Sequence, residues 1–287
     1  MSKTVERLLT FFIGLPLVLF ITLIKWNDHL PLHVVMVVVT FIAALEMQNL
    51  LAQKMQTQNR FFMAVRAAAL PLVTALCLQF KLAQTNNIIL LTGVLALFVS
   101  LTAEVFPSEK TRSADSFFEP ALQRVSATVM TVFYCGLLMS FLTRITVWEY
   151  SQAALVFMLL MVFGNDSLAW FFGVLFGKST KGIVKASPNK SLVGFMGGFF
   201  SCLLVAYLYW RFQPAYHQFQ IWQVLLVGGI CSLTADLGDL VESVFKRSAG
   251  IKDSGKIIPG RGGMLDSLDS ILFTAPVFYL VSTLLFF

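Results

Sequence analysis

Residues 221–247 read IWQVLLVGGICSLTADLGDLVESVFKR. From Ile221 to Ala235 no charge interrupts the run, and then Asp236, Asp239 and Glu242 appear three residues apart, followed by Lys246 and Arg247. The apolar stretch from 221 to 245 has the ~20 residues or more that a helix needs to cross the hydrocarbon core of a bilayer. Carboxylates at membrane depth are expensive and normally face a polar cavity, a partner or an ion. The segment therefore reads as a spanning helix with a chemically active end.

Eight further apolar runs surround it, over residues 8 to 24, 30 to 47, 62 to 82, 85 to 105, 122 to 142, 151 to 177, 191 to 211 and 268 to 287. The composition agrees: 57% of the 287 residues are hydrophobic and 13% are charged, against about 25% charged in a soluble domain. The fold class is an all-α polytopic membrane protein with nine transmembrane helices. The first run follows Lys3 and Arg7 but has no small-x-small cleavage site after it, so it reads as a retained anchor. Cys77, Cys135, Cys202 and Cys231 sit inside apolar runs without metal-ligand spacing and read as small core residues.

Lys and Arg near span ends favour the cytoplasmic side. Of the 21 Lys and Arg, only Lys25, Lys81, Arg144 and Arg211 fall on one side of the bilayer; Lys3, Arg7, Lys110, Arg112 and the rest fall on the other. That alternation supports nine spans with a cytoplasmic N-terminus and an external C-terminus. The net charge of +6 suits anionic lipid and phosphate-bearing substrates, and no nucleic-acid partner is expected.

Acids divide the chain. Before residue 150 those such as Glu109, Asp115 and Glu119 lie in loops or at span ends, whereas Asp166, Asp236 and Asp239 fall within spans. Residues 1–150 are read as five N-terminal spans and 151–287 as the catalytic spans, with cytoplasmic loops 178–190 and 246–267.

Asp236, Asp239 and Ser243 share one helical face with Glu242 beside it. Acids so close repel unless a cation compensates, and hard divalent cations prefer such oxygens, so the natural inference is magnesium. The next segment holds Lys246, Arg247, Lys252, Asp253 and Lys256, then Ile258-Pro-Gly-Arg261-Gly-Gly263, then Asp266 and Asp269. Glycines let backbone N–H groups approach phosphate oxygens, and basic side chains neutralise them. Gly177-Lys178-Ser179 resembles the end of a nucleotide-binding P-loop, but position 172, where the first glycine belongs, is Phe. Glycines four apart at 173 and 177, and at 194 and 198, read as close helix packing. His29 and His33 read as interfacial histidines.

The run Ser243-Val-Phe-Lys246-Arg247, Lys252-Asp253-Ser-Gly255 and Ile258-Pro-Gly-Arg261-Gly-Gly-Met-Leu-Asp266-Ser267-Leu-Asp269 resembles the signature of phosphatidate cytidylyltransferases, the CDP-diacylglycerol synthases. Gly238-Asp239-Leu-Val-Glu242-Ser243, Ser187-Pro-Asn-Lys190-Ser191 with Gly194 and Gly197-Gly198, and Asp166 followed by Phe176-Gly177-Lys178 look like further blocks of that family. The motifs cover residues 160 to 275. Two positions depart: the family usually has His where this chain has Arg261, and Arg where it has Ser267.

What the resemblance implies is transfer of a cytidylyl group from CTP to phosphatidate in the inner leaflet, forming CDP-diacylglycerol and pyrophosphate at the cytoplasmic face of the inner membrane. It implies Mg2+, with K+ as a second cation in the same site. Matched by motif, Asp239 and Asp266 are the expected metal ligands, with Ser243 and Asp269 as additions. Lys246, Arg247, Lys252 and Arg261 would hold phosphates, Asp253 would orient a lysine or the nucleotide, and Lys190, Ser187 and Asp166 would line the site. Such transfers rely on positioning and electrostatics, so the exchanges at 261 and 267 are expected to be tolerated. The small residues Gly194, Gly197 and Gly198 suit close helix contacts within a subunit or in a homodimer. The competing readings are a transporter or flippase for a phosphorylated lipid, an inactive homologue, and an enzyme acting on an isoprenoid lipid.

Overall fold

A computed structural model describes residues 10–106 and 118–286 of the protein. Among these residues the regular elements are all helices, with no β-strand. After a wide π turn over Thr10–Gly14 comes α1 (Leu15–Leu23), then α2 (Leu30–Leu51), α3 (Arg60–Gln79) and α4 (Thr85–Thr102). These are followed by α5 (Ala121–Ile145), α6 (Ser151–Phe176), α7 (Leu192–Phe212), α8 (Ile221–Ala249) and α9 (Leu265–Phe286). Eight are long and apolar enough to cross a membrane; the first is shorter. Lys3, Arg7, Glu109, Lys110, Arg112 and Asp115, and the outermost residues of the first and last predicted runs, lie outside the described residues.

The helices begin and end where local chemistry dictates. Asn59 caps α3, its side chain accepting from Phe61 N at 3.0 Å, and Ser191 caps α7 by accepting from Gly194 N at 3.1 Å. Such caps satisfy N–H groups that have no partner within the helix. Gly250, at φ 74°, closes α8 in the left-handed conformation that glycine adopts without strain.

Three boundaries differ from the sequence reading for one reason. Helix α2 continues beyond 47 to Leu51, α8 beyond 245 to Ala249, and α9 starts at Leu265 rather than 268. In each case polar residues that looked like the edge of a span are held by protein partners. Glu46 and Gln48 are buried in α2, Lys246 pairs with Glu242 and Asp266, and Leu265 N donates to Glu46 at 2.8 Å.

Helix α6 packs on α7, α8 on α9 and α2 on α3. Phe157, Phe278, Met47, Met63, Met158 and Leu272 fill the core between them. Leu90, Phe98, Leu204 and Leu284 point outward, as side chains in contact with lipid do. All four cysteines are buried and free. His29 and His33, read as interfacial, stand at the start of α2 and are buried against protein, with Nε2 3.0 Å from Ser151 Oγ and Thr146 Oγ1 respectively. They join the start of α2 to the α5–α6 corner.

The two ends of the bundle differ. Where α6 starts and α7 and α9 finish, aromatic rings cluster, with Phe157 5.0 Å from both Tyr209 and Tyr216 and Phe219 stacked on Phe286 at 4.2 Å. At the opposite end stand the acids and the basic loops.

Candidate active site

Small residues bring the site together. Gly194 and Gly198 on α7 face α6 so closely that an added Cβ would sit 2.9 Å from Ala169 O and 2.6 Å from Asn165 Oδ1. Gly238 on α8 does the same against α9, where a Cβ would sit 2.5 Å from Asp269 O. The glycines of α7 are thus used in packing within the chain. The close approach carries Asp166 on α6, Asp239 on α8 and Asp269 on α9 to one end of the bundle.

Around Asp239 the structure gathers residues from both loops. Lys190 Nζ lies 2.6 Å from Asp239 Oδ2 and 5.3 Å from the centre of the Phe195 ring. Ser243 Oγ donates to Asp239 Oδ1 at 3.4 Å, one turn along the helix. Arg261 reaches across to Asp166 at 3.9 Å. Asp269 on α9 is buried and accepts from Ser270 N at 2.6 Å. One turn deeper, Asn165 donates to Asp236 Oδ1 at 3.0 Å and accepts from Ser232 Oγ at 2.7 Å.

A second cluster lies beside the first. Lys246 forms ion pairs with Glu242, one turn back on α8, and with Asp266 Oδ1 on α9, the latter at 2.6 Å. The other oxygen of Asp266 accepts from Ser254 N at 2.9 Å, Ser254 Oγ at 2.9 Å and Gly263 N at 2.7 Å. Asp266 is therefore held by four donors, whereas Asp239 has one ion pair through Oδ2 and one long hydrogen bond, from Ser243 Oγ to Oδ1 at 3.4 Å. Between them the chain makes a tight hairpin, Ile258 N donating to Gly262 O at 2.8 Å and Gly262 N to Ile258 O at 3.0 Å. Gly262, at φ 108°, lies against Asp266, where a Cβ would come within 2.6 Å of Oδ2.

The remaining expected residues occupy the rim. Lys252 and Asp253 are exposed in the loop that follows α8. Arg247, also exposed, donates through Nε to Ala186 O at 3.2 Å and so ties the two loops together. Ser187 serves the turn that presents Lys190, its carbonyl accepting from Lys190 N at 3.1 Å. The loop read as 246–267 is shorter than expected, since α8 runs to Ala249 and α9 begins at Leu265.

Two residues of this constellation were not read from the sequence. Glu46, on α2, accepts from Leu265 N at 2.8 Å and from Ser254 Oγ at 3.2 Å, and Ser254 bridges it to Asp266. A lone carboxylate in an apolar run was a signal, but it stood where the span was taken to end.

The donor set fits a divalent cation that arrives with a phosphate ligand. Asp166, Asp236, Asp239, Glu242, Asp266 and Asp269 outnumber Lys190, Lys246 and Arg261, leaving the cluster in need of positive charge. Among the described residues no group of three or more His, Cys, Asp or Glu is placed to hold a metal by itself. Magnesium commonly takes one or two carboxylates and completes its shell with substrate phosphates and water.

The model of the cytidylyltransferase family matches residues 5–285. A phosphatidate cytidylyltransferase of Staphylococcus epidermidis is 35% identical over 192 residues, which is 67% of this chain and 68% of that protein. One from Staphylococcus haemolyticus is 34% identical over 212 residues, 73% of this chain and 75% of its own. One from Staphylococcus aureus reaches 43% over 123 residues, 43% of this chain and 46% of its own.

Proposed function

The chain belongs to the cytidylyltransferase family, and we propose that it is an integral membrane enzyme making CDP-diacylglycerol and pyrophosphate from CTP and phosphatidate. A phosphate oxygen of the lipid attacks the α-phosphorus of CTP, the bond from that phosphorus to the bridging oxygen breaks, and pyrophosphate leaves. The similarity to the staphylococcal enzymes supports this reading. The observation in the fold that carries it is the contact of Lys190 with Asp239, which unites the motifs of the two loops in one site.

Asp239 and Asp269, with Ser243 and Asp166 beside them, are the residues that would hold Mg2+. Asp266 could join them only if Lys246 gave up Oδ1. When bound with the nucleotide, Mg2+ supplies neutralising charge to the triphosphate oxygens and to the departing pyrophosphate. Lys190 and Arg261, each already paired with a carboxylate, turn to phosphate when substrate enters. Lys252 and Lys256, exposed beside them, draw in the triphosphate. Lys246 stays between Glu242 and Asp266, keeping α8 and α9 in register. Positioning and electrostatics of this kind are what phosphoryl-type transfer needs from a protein.

The acids and the basic loops share one end of the bundle, the end that the Lys and Arg excess assigns to the cytoplasm. CTP enters there from water, and phosphatidate enters sideways from the inner leaflet of the bacterial plasma membrane.

The experiment is incorporation of radiolabelled CTP into lipid by the purified protein in detergent, with phosphatidate and Mg2+ present and with each omitted in turn. Labelled liponucleotide that needs both is the expected product. Absence of product, under conditions where the Staphylococcus epidermidis relative makes it, would refute the reading.

A further inference from the structure

Glu46 is a carboxylate on α2, a helix that contributes no other side chain to the acid cluster described above. It is 5% exposed and lies more than two hundred residues in sequence from the groups it touches. Oε2 accepts from Leu265 N at 2.8 Å and from Ser254 Oγ at 3.2 Å. Leu265 is the first residue of α9, so Glu46 caps that helix from outside, with its charge at the positive end of the helix dipole. Its other oxygen, Oε1, is buried without a hydrogen-bond partner. Gly255 and Gly263 crowd around the carboxylate: a Cβ at either would collide with it.

These contacts form a chain. Glu46 holds the start of α9 through Leu265 N and shares the single Ser254 hydroxyl proton with Asp266, 3.2 Å from Glu46 Oε2 and 2.9 Å from Asp266 Oδ2; Ser254 N donates to Asp266; Asp266 holds Lys246. Both ends of the segment 254–265, which carries Lys256 and Arg261 between them, are therefore fastened to one side chain of α2. Burying a carboxylate with one oxygen unpaired is unfavourable for stability alone. A rigid anchor for a loop that must meet a triphosphate gives it a use, because displacements near 1 Å at a reacting centre reduce rate by about a hundredfold.

We propose that Glu46 is a positioning residue, which sets the 254–265 segment and the start of α9 against α8 so that Lys256, Arg261 and Asp269 meet the triphosphate in register. The proposal rests on the reading of the chain as a CTP-dependent transferase. It separates the two substrates: the segment faces the nucleotide, so handling of CTP depends on Glu46 and capture of phosphatidate does not.

The test compares wild type with Glu46→Ala, Glu46→Gln and Ser254→Ala, each purified in detergent. Initial rates are measured with CTP and phosphatidate varied separately, and amide hydrogen exchange is followed over residues 252–266. Glu46→Ala is expected to raise exchange in that segment and to lower kcat/KM for CTP by about 10–100-fold, the usual effect of removing an orienting partner, while KM for phosphatidate stays at the wild-type value. Glu46→Gln, whose carbonyl oxygen still accepts from Leu265 N and Ser254 Oγ, restores most of the loss, and Ser254→Ala shows a smaller loss of the same kind. Wild-type exchange and kinetics in Glu46→Ala would overturn the proposal. So would increased exchange in every helix together with a fall in kcat alone, the signature of a general loss of folded protein. If Glu46→Ala does not fold, Ser254→Ala decides, and unchanged handling of CTP in that variant counts against the proposal. Failure of the wild type to make liponucleotide would refute the transferase reading instead, and the exchange comparison would still show whether Glu46 holds the segment.

Discussion

Lys190 Nζ lies 2.6 Å from Asp239 Oδ2, joining the loop before α7 to the acidic end of α8. The two side chains are 23% and 31% exposed, so water and salt weaken the pair and its contribution to stability is small. Its place, where the loop before α7 meets the acidic end of α8, makes it a contact to test for substrate binding.

Replacing Lys190 with Ala is therefore expected to leave thermal stability within about 1 kcal/mol of wild type. The KM for CTP should rise about tenfold, since a charge-assisted contact to phosphate is lost. Initial-rate kinetics at fixed phosphatidate measure this. A variant with wild-type KM for both substrates would remove Lys190 from the site.

Asp239 and Asp266 should part company on substitution. In Asp239→Asn the fold is kept and turnover falls about 10–100-fold or more, as when a group holding a metal is lost. In Asp266→Asn an amide replaces an oxygen that either Lys246 or the Ser254 and Gly263 donors require. That should cost about 2–3 kcal/mol of stability. Thermal unfolding in detergent, run beside the turnover assay, separates the two, and equal melting temperatures would refute the distinction.

Gly238→Ala places a methyl group 2.5 Å from Asp269 O and 3.0 Å from Ser270 Cα. Both neighbours are backbone of α9, so the helices must separate, at about 1–3 kcal/mol for overpacking. Turnover should fall with stability, because Gly238 adjoins Asp239 and packs against the backbone of Asp269. Normal activity in this variant would show that the α8–α9 spacing is not critical.

Burial pushes the imidazole pKa of His29 below its ordinary value near 6.5, and Lys25 adds to the effect while Asp28 opposes it. The unfolded chain then binds the proton more readily than the folded one. The stability this contributes is present above pH 6.5 and is lost as pH falls through the lowered folded value. The melting temperature should drop between pH 7.5 and pH 5.5, and the drop should shrink in His29→Asn, which tolerates the left-handed backbone at φ 64°. An identical pH dependence in the variant would exclude His29 as its source.

The nine apolar runs, the buried cysteines and the close packing at Gly194 and Gly198 were legible because each depends on composition or on spacing within one helix. So was the acidic end of α8, since carboxylates in a spanning segment stand out against their neighbours. The boundaries at Glu46, Lys246 and Leu265 were misplaced because a polar residue at the edge of an apolar run looks the same whether it meets water or a buried partner.

The same distinction separates what residue order alone determined from what folding decided. Residue order alone determined that the chain forms long apolar helices and that its C-terminal half combines acids within spans with basic loops, because hydropathy and residue type are local properties. Only the tertiary structure decided that Asp239 faces Lys190 while Asp266 is taken up by Lys246 and Ser254. It also brought Glu46 from the N-terminal half to the start of α9. Motif spacing treats Asp239 and Asp266 alike, as acids near a basic loop. Their partners lie on other helices, and which groups are left free for a substrate depends on how α2, α6, α7, α8 and α9 pack.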